Sequence, residues 1–196
     1  MVNSPPFLTA FWLLISSVIR CVFGGIAGVL FAAWICSEVQ NVGLSIKSTG
    51  ECLIGAVTTA MLVSQAKIEW LRNHAIDVVC VSGTVFLIDA LLVLTGNVWI
   101  IITMGIFATT VVAIIHQTTI SDMTNNIYVG TDRTVLNNKL FVVSAVASAI
   151  GSAIGGFLSP DVTTMGTIFI VEAIISTVLT IKVVKLMLNY LKENGK

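Results

Sequence analysis

The sequence predicts an all-α integral membrane protein that crosses the bilayer about six times. Hydrophobic residues make up 56% of the 196 residues, charged residues only 10%, and the mean hydropathy is +1.00. A soluble domain carries about a quarter charged residues, so most of this chain must face lipid or other apolar protein. Runs such as Ile100-Ile101-Ile102 are apolar on every side. They favour helices, which close their own backbone hydrogen bonds where no water is present.

Six segments have the length and apolar character of spanning helices, each needing roughly 20 residues. They are residues 8–35, 45–63, 76–94, 98–119, 140–158 and 163–186. Together they form a single transmembrane domain over residues 1–196. A polar connection at residues 121–139 separates them into two sets of three. That layout suggests a 3+3 inverted repeat, an arrangement common in transporters.

Lysine and arginine are distributed unequally between the connections. Eight of them fall on one side of the predicted spans and Lys47 falls on the other; the eight are Lys67, Arg72, Arg133, Lys139, Lys182, Lys185, Lys192 and Lys196. Because basic residues mark the cytoplasmic side, we expect both termini and the loop 121–139 to be cytoplasmic. The bilayer would be a bacterial inner (plasma) membrane. Cys36 and Cys52 would both lie near its outer face, where a disulfide could form.

Small residues recur at four-residue spacing in two predicted spans. Gly24 and Gly28 do so in the first span, and the fifth span contributes Ser148, Gly151, Gly155 and Gly156. Such stripes let helix backbones approach closely in lipid. They predict helix packing, either as static contact within one bundle or as a sliding contact between two bundles.

Four ionisable side chains fall inside the predicted spans. They are Arg20, Asp89, His116 and Glu172. A charge at the bilayer centre costs roughly 2.5–3.5 kcal/mol, so these residues are candidates for a substrate or proton pathway. Arg20, Asp89 and Glu172 would share a network in which one carboxylate binds a proton, or would form a static pair beside a protonated acid. The polar stretch 116–119, followed by Ser121-Asp122, would line a water-filled vestibule or form the end of a helix emerging into the cytoplasm.

The sequence lacks the motifs of a zinc protease, a nucleophile elbow or a P-loop. His116 and His74 do not complete a metal site. We therefore expect no enzymatic activity, no metal and no cofactor, and a lipid bilayer rather than nucleic acid as the surroundings.

Residues 118–158 resemble the major facilitator superfamily. The resemblance lies in Asp122 at the end of the fourth span, Arg133 in the following loop, the pair Asn137-Asn138, and a Gly-rich fifth span closing on Gly155-Gly156-Phe157-Leu158. It implies a facilitator-like six-helix bundle, with Asp122 and Arg133 as gating residues. Members of that superfamily have about twelve spans, so six would form half of a transporter.

This resemblance implies a half-size secondary transporter subunit that moves a small solute by alternating access. It would act as a homodimer or with a second six-span membrane protein. Residues 64–72 keep basic residues but lack the glycines and the acid that the superfamily carries between its second and third spans. That departure favours the alternative of a non-transporting immunity, exclusion or regulatory factor that binds another membrane protein.

Overall fold

The computed structural model describes residues 7–38, 50, 53–61, 68–101 and 106–194. All regular secondary structure in these ranges is helical. The helices are α1 (Phe7–Glu38), α2 (Ile68–Asn73), α3 (Ala75–Val93), α4 (Val98–Ile100), α5 (Ile106–Ile127), α6 (Thr131–Gly155) and α7 (Val162–Glu193). Residues 53–61 are also helical.

Four of these helices, α1, α3, α6 and α7, are long and apolar enough to cross a membrane. They carry the first, third, fifth and sixth predicted spans. Four apolar helices of this kind indicate an integral membrane protein, and the all-α class is confirmed over the described part of the chain.

Among the described residues, four helices and not six qualify as membrane spans. Of the second predicted span, 45–63, the structure describes residue 50 and the helical stretch 53–61. Of the fourth, 98–119, the structure describes the helical residues Val98–Ile100 and the helix α5, which continues beyond the predicted end to Ile127. Asn97 initiates the short helix because its side chain accepts hydrogen bonds from the N–H groups of Trp99 and Ile100. With its polar C-terminal half, α5 is not among the helices that meet the length and hydropathy required of a span.

The loop predicted at 121–139 is mostly helical, which corrects its expected length. α5 ends at Ile127 and α6 begins at Thr131, so only residues 128–130 connect them. Gly130 has a φ of +62° and permits the reversal. The prediction of a loop was wrong because it relied on polar composition. Hydroxyl and amide side chains can also lie on a helix, where they donate hydrogen bonds to carbonyl oxygens of the preceding turn. Thr124 and Asn126, for example, donate to the carbonyl oxygens of Ile120 and Asp122.

Two apolar clusters lie at opposite ends of the helical bundle. At the end where α1 begins and α7 finishes, here called the terminal end, Leu13 packs with Tyr128, Met187 and Leu191. At the other end, here called the distal end, Leu30 and Trp34 of α1 pack with Val93 of α3 and Met165 of α7. The beginning of α1, the α5–α6 connection and the end of α7 therefore lie at the same end of the molecule.

The helix α1 runs beside α6 and α7, while α3 packs against α7 and α5. Lys182 of α7 also places its ammonium 3.3 Å from the ring centroid of Trp12 of α1, a cation–π contact. This arrangement leaves α1, α5, α6 and α7 around a shared interior between the two apolar clusters.

Candidate functional site

Three of the four predicted ionisable residues come together between the apolar clusters. Arg20 lies on α1, His116 on α5 and Glu172 on α7, and the charge of Arg20 acts on both of the others. The Arg20 and Glu172 side chains interact through their charges, but no hydrogen bond joins them. The guanidinium and the carboxylate thus retain hydrogen-bonding capacity for another group.

A cavity of about 660 Å³ extends from this charged layer toward the terminal end; we call it the terminal cavity. Its walls come from α1, α5, α6 and α7, and they are rich in hydroxyl and amide side chains. Its polar lining residues are Ser16, Ser17, Arg20, Gln117, Ser121, Thr124, Asn125, Arg133, Asn137, Ser144, Glu172 and Thr180. Its volume lies in the range of small-molecule sites, about 300–1,000 Å³.

A second cavity, of about 430 Å³, extends from the same layer toward the distal end; we call it the distal cavity. Its walls come from α1, α3, α5, α7 and Ile101, and they include more apolar and aromatic side chains such as Phe31, Phe86 and Phe169. Asp89 of α3 lines it, as does Ser176, whose Oγ is buried without a hydrogen-bond partner in the structure.

Arg20 and Glu172 line both cavities. The two side chains therefore mark the level at which the terminal cavity and the distal cavity approach each other. Because α1 and α7 hold these side chains on rigid helical backbones, their relative position is set by helix packing and not by a loop.

His116 lies at the middle of α5, whereas the sequence placed it toward the end of a span. Its ring is only 5% exposed, and neither ring nitrogen has a hydrogen-bond partner in the structure. An unpaired polar group in such a position is costly. His116 itself lines neither cavity and sits within the helix, whereas Gln117 and Ser121 of the same polar stretch line the terminal cavity.

The two residues predicted to gate the cytoplasmic side, Asp122 and Arg133, have different surroundings in the structure. Asp122 of α5 pairs with Arg72 of α2, at an N···O distance of 3.9 Å. Arg133, in the first turn of α6, instead lines the terminal cavity. The pairing of Arg72 with Asp122 was not predicted, because nothing in the spacing of the two residues along the sequence connects them.

The tight helix contact forms between α1 and α6, but at a different glycine of α1 than the spacing predicted. A Cβ built on Gly25 would collide with the backbone of Ser148 and would lie 2.8 Å from the backbone nitrogen of Ser152. A Cβ on Gly151 would collide with the carbonyl of Val22, and one on Gly155 would lie 2.9 Å from the carbonyl oxygen of Ile26. These close approaches define the α1–α6 seam.

Gly24 and Gly28 are exposed, and a Cβ on either would meet nothing within 4 Å. Gly156 meets only atoms of its own helix end. The G-x-x-x-G pair therefore does not form the seam. Gly25 forms the seam instead, because successive helical residues point about 100° apart and only Gly25 faces α6. It was not predicted because no other glycine lies four residues from it.

One hydrogen bond ties the seam to the terminal cavity. The Oγ atoms of Ser17 on α1 and Ser144 on α6 are 2.7 Å apart, and both residues line that cavity. Within the described residues there is no group of three His, Cys, Asp or Glu side chains able to hold a metal ion. Cys52 lies outside the described residues, and with it the predicted disulfide to Cys36.

Comparison with protein-family models found no match to this chain, and comparisons with curated proteins and with solved structures found none either. The similarity to the major facilitator superfamily therefore rests on the sequence motifs alone, and the function has to be argued from the two cavities.

Proposed function

We propose that the chain is a subunit of a secondary transporter that moves a small solute across the membrane by alternating access. The observation that carries the proposal is that two cavities, directed to opposite ends of the bundle, share Arg20 and Glu172. A site between two cavities, closed to one side while it is reached from the other, is the arrangement that alternating access requires.

The chemistry of the shared residues supports this proposal. Ionisable groups within a membrane domain are energetically costly, and such groups commonly mark substrate, ion or proton pathways. Arg20 and Glu172 are both partly exposed to cavity space rather than enclosed by apolar side chains. A solute that reaches this layer would exchange hydrogen bonds with side chains that do not hydrogen-bond each other.

The finer architecture is part of the same proposal. Two further crossings, by the segment around residues 45–63 and by α5, would complete a six-span, facilitator-like bundle with a 3+3 inverted repeat. The terminal end would face the cytoplasm of a bacterium, as the Lys and Arg distribution favours. The terminal cavity would then be the cytoplasmic vestibule.

Assembly as a homodimer, or with a second six-span protein, is proposed to provide the moving partner. Both cavities lie within one chain, so a partner is not needed to line them. The outward face of α6 exposes Val142, Val146 and Ile150, which lipid or a second copy would cover. Disulfide cross-linking of Val146→Cys between copies tests the homodimer; Ser148, whose backbone contacts Gly25 of the same chain, is unsuitable.

Reconstituted vesicles test the transport proposal directly. Uptake of labelled sugars, amino acids, carboxylates and organic cations would be measured with the natural chain, with Arg20→Gln and Glu172→Gln, and with Lys139→Gln. Lys139 lies on α6 but lines neither cavity. We expect at least one solute class to be taken up, uptake to be lost in the first two variants, and Lys139→Gln to behave as the natural chain.

Access from the two sides is the complementary measurement. Single cysteines at Asn137 and Phe86 report on the terminal and distal cavities respectively. Membrane-impermeant thiol reagents should reach Asn137→Cys from one side of the vesicle and Phe86→Cys from the other. Absence of uptake for every class, together with access from a single side, would contradict transport.

The second candidate is the non-transporting factor that binds another membrane protein. It is favoured by residues 64–72, which lack the glycines and acid of the superfamily's gating loop. For such a factor, neutral substitutions of Arg20 and Glu172 should leave its association with a partner intact, while polar substitutions on the outward face of α6 should weaken it.

A further inference from the structure

We propose that the terminal cavity binds a small soluble anion, bearing a carboxylate or a phosphate, with Arg133 at its mouth and Arg20 at its base. This inference rests on the proposed transport function and specifies its substrate class. It concerns the charge of one cavity, and it can be tested without measuring transport.

The balance of charge in the terminal cavity is positive. Among its lining residues, two arginines face a single carboxylate, that of Glu172. Guanidinium groups donate hydrogen bonds and accept none. They bind carboxylate and phosphate oxygens in bidentate fashion. A cation would meet two like charges there, and a neutral solute would leave the cavity with a net positive charge, because Glu172 offsets only one of the two guanidinium groups.

The two arginines are arranged in series along the cavity. Ser17 and Ser144 touch across the α1–α6 seam. Arg20 lies three residues beyond Ser17 toward the distal end, while Arg133 lies eleven residues from Ser144 toward the terminal end. At a rise of about 1.5 Å per residue, their Cα atoms are separated by roughly 20 Å along the bundle.

One small anion cannot contact both arginines at that separation. Arg133 is an exposed residue at the start of α6, so it would attract anions into the cavity. Arg20 would bind the anion at the level where the distal cavity begins. Hydroxyl and amide donors line the wall between them, including Ser16, Asn125 and Asn137. A charged cleft of this kind raises the local concentration of its counter-ion by roughly tenfold or more.

Cys21 provides a built-in probe, since it is a free cysteine that lines the terminal cavity. In a Cys36→Ser, Cys52→Ser, Cys80→Ser background it is the remaining thiol of the chain. Two methanethiosulfonate reagents of similar size are compared, one carrying a sulfonate and the other a trimethylammonium group. Each transfers its alkylthio group to the Cys21 thiolate, forming a disulfide and releasing methanesulfinate. The ratio of their rates cancels any change in thiolate fraction.

In nanodiscs of neutral phosphatidylcholine, the sulfonate-to-trimethylammonium rate ratio should exceed the ratio for a small free thiol by about tenfold. Arg133→Gln should lower it several-fold. Lys139→Gln removes the same charge from the same helix, outside the cavity, and should not. Succinate or inorganic phosphate should slow labelling by the sulfonate reagent, choline should not, and Arg20→Lys should reduce the protection. Gly24→Cys, where a Cβ meets nothing within 4 Å, provides a second probe in the same cavity.

Three results would overturn the proposal. The first is equal or faster reaction of the trimethylammonium reagent at both probe positions. The second is that neither reagent reacts at Cys21 or at Gly24→Cys, since the cavity would then not admit small ions. The third is protection by phosphatidylglycerol nanodiscs alone, without any effect of succinate or phosphate, which would assign the anion to a lipid headgroup. Failure of vesicle uptake together with access from a single side, by contrast, would contradict transport and leave the anion preference standing.

Discussion

Arg20 of α1 and Glu172 of α7 face each other across the point where two cavities of the bundle approach, and each lines both of them. Their charges interact, yet the two side chains are not hydrogen-bonded to each other. Each group therefore compensates the charge of the other without using its hydrogen-bonding capacity.

The first prediction concerns the energetic coupling between these two residues. Arg20→Ala should lower the thermal stability of the purified protein, because Glu172 then loses a compensating charge in a medium of low dielectric constant. Adding Glu172→Gln to Arg20→Ala should restore part of that loss. We expect a coupling free energy between about 0.5 and 3 kcal/mol, as for other neighbouring charged residues.

Thermal unfolding in detergent, measured for the two single variants and the double variant, gives this coupling energy. Lys139→Gln is the control for loss of a cation outside both cavities. Strict additivity of the two single effects would show that Arg20 and Glu172 act independently.

The second prediction concerns the α1–α6 seam. Gly25→Ala and Gly151→Ala place a methyl group against backbone atoms of the facing helix, which no side-chain rotation can relieve. Each should destabilise the protein by about 1–3 kcal/mol through overpacking. Gly24→Ala and Gly28→Ala are matched controls on the same helix, since their methyl groups meet nothing within 4 Å.

Melting temperatures of the four variants test this prediction. The controls should melt at or slightly above the natural chain, because alanine favours helix over glycine by up to about 1 kcal/mol. Equal destabilisation by all four variants would mean that Gly24 and Gly28 pack against another chain or a segment outside the described residues.

The sequence predicted those features that a long hydrophobic run determines locally. It did not predict features that depend only on how the helices pack. The apolar spans on α1, α3, α6 and α7 were found because each needs a long run of hydrophobic residues. The end of α5 was not predicted, because the hydropathy of its polar second half is compatible with either a helix or a loop. The same ambiguity led to the prediction of a long loop at 121–139, whereas only residues 128–130 connect the two helices in the structure.

The sequence predicted which residues form the candidate site but not how they are arranged in space. Arg20 and Glu172 stand out in any sequence because charges are rare in spans. Their common position between two cavities depends on how α1 rotates against α7, which one sequence does not encode locally. The same holds for Gly25, which differs from the predicted Gly24 by a single step of about 100° around the helix.

The third prediction concerns the orientation of the bundle. Thr131 begins α6 at the terminal end, and Ser159 lies between α6 and α7 at the distal end; both are exposed. If basic residues place the terminal end inside, a membrane-impermeant reagent added to intact cells should label Ser159→Cys and spare Thr131→Cys. After lysis both should react, which controls for accessibility of the thiols. The reverse pattern in intact cells would invert the proposed topology.

The fourth prediction concerns pH and the apolar cluster at the terminal end. Burial raises the pKa of the Tyr128 phenol from 10.0 to about 12, with a further contribution in the same direction from nearby Tyr190. The folded state thus favours the neutral phenol. This part of the stability is fully present below pH 10 and is lost as the pH rises through about 12.

Ultraviolet absorbance of the phenolate measures this ionisation. The chain contains two tyrosines, so Tyr190→Phe isolates Tyr128 while it removes the smaller contribution from its neighbour. We expect a midpoint well above 10 in the folded protein and a return to about 10 in denaturant. A midpoint near 10 in both states would show that the phenol is reached by water.

The last prediction connects Glu172 to the selectivity of the terminal cavity. Glu172 supplies the one carboxylate among the residues that line that cavity, opposite the two arginines. Glu172→Gln keeps the shape of the side chain and removes its negative charge, so the potential at Cys21 becomes more positive. The preference of Cys21 for the sulfonate reagent over the trimethylammonium reagent should therefore increase several-fold. Asp161→Asn is a suitable control, because Asp161 lies at the distal end as the N-cap of α7 and asparagine retains that capping role. High salt should reduce the difference between Glu172→Gln and the natural chain, since screening shortens the reach of the charge. An unchanged rate ratio in Glu172→Gln at low salt would show that Glu172 does not set the potential of the cavity.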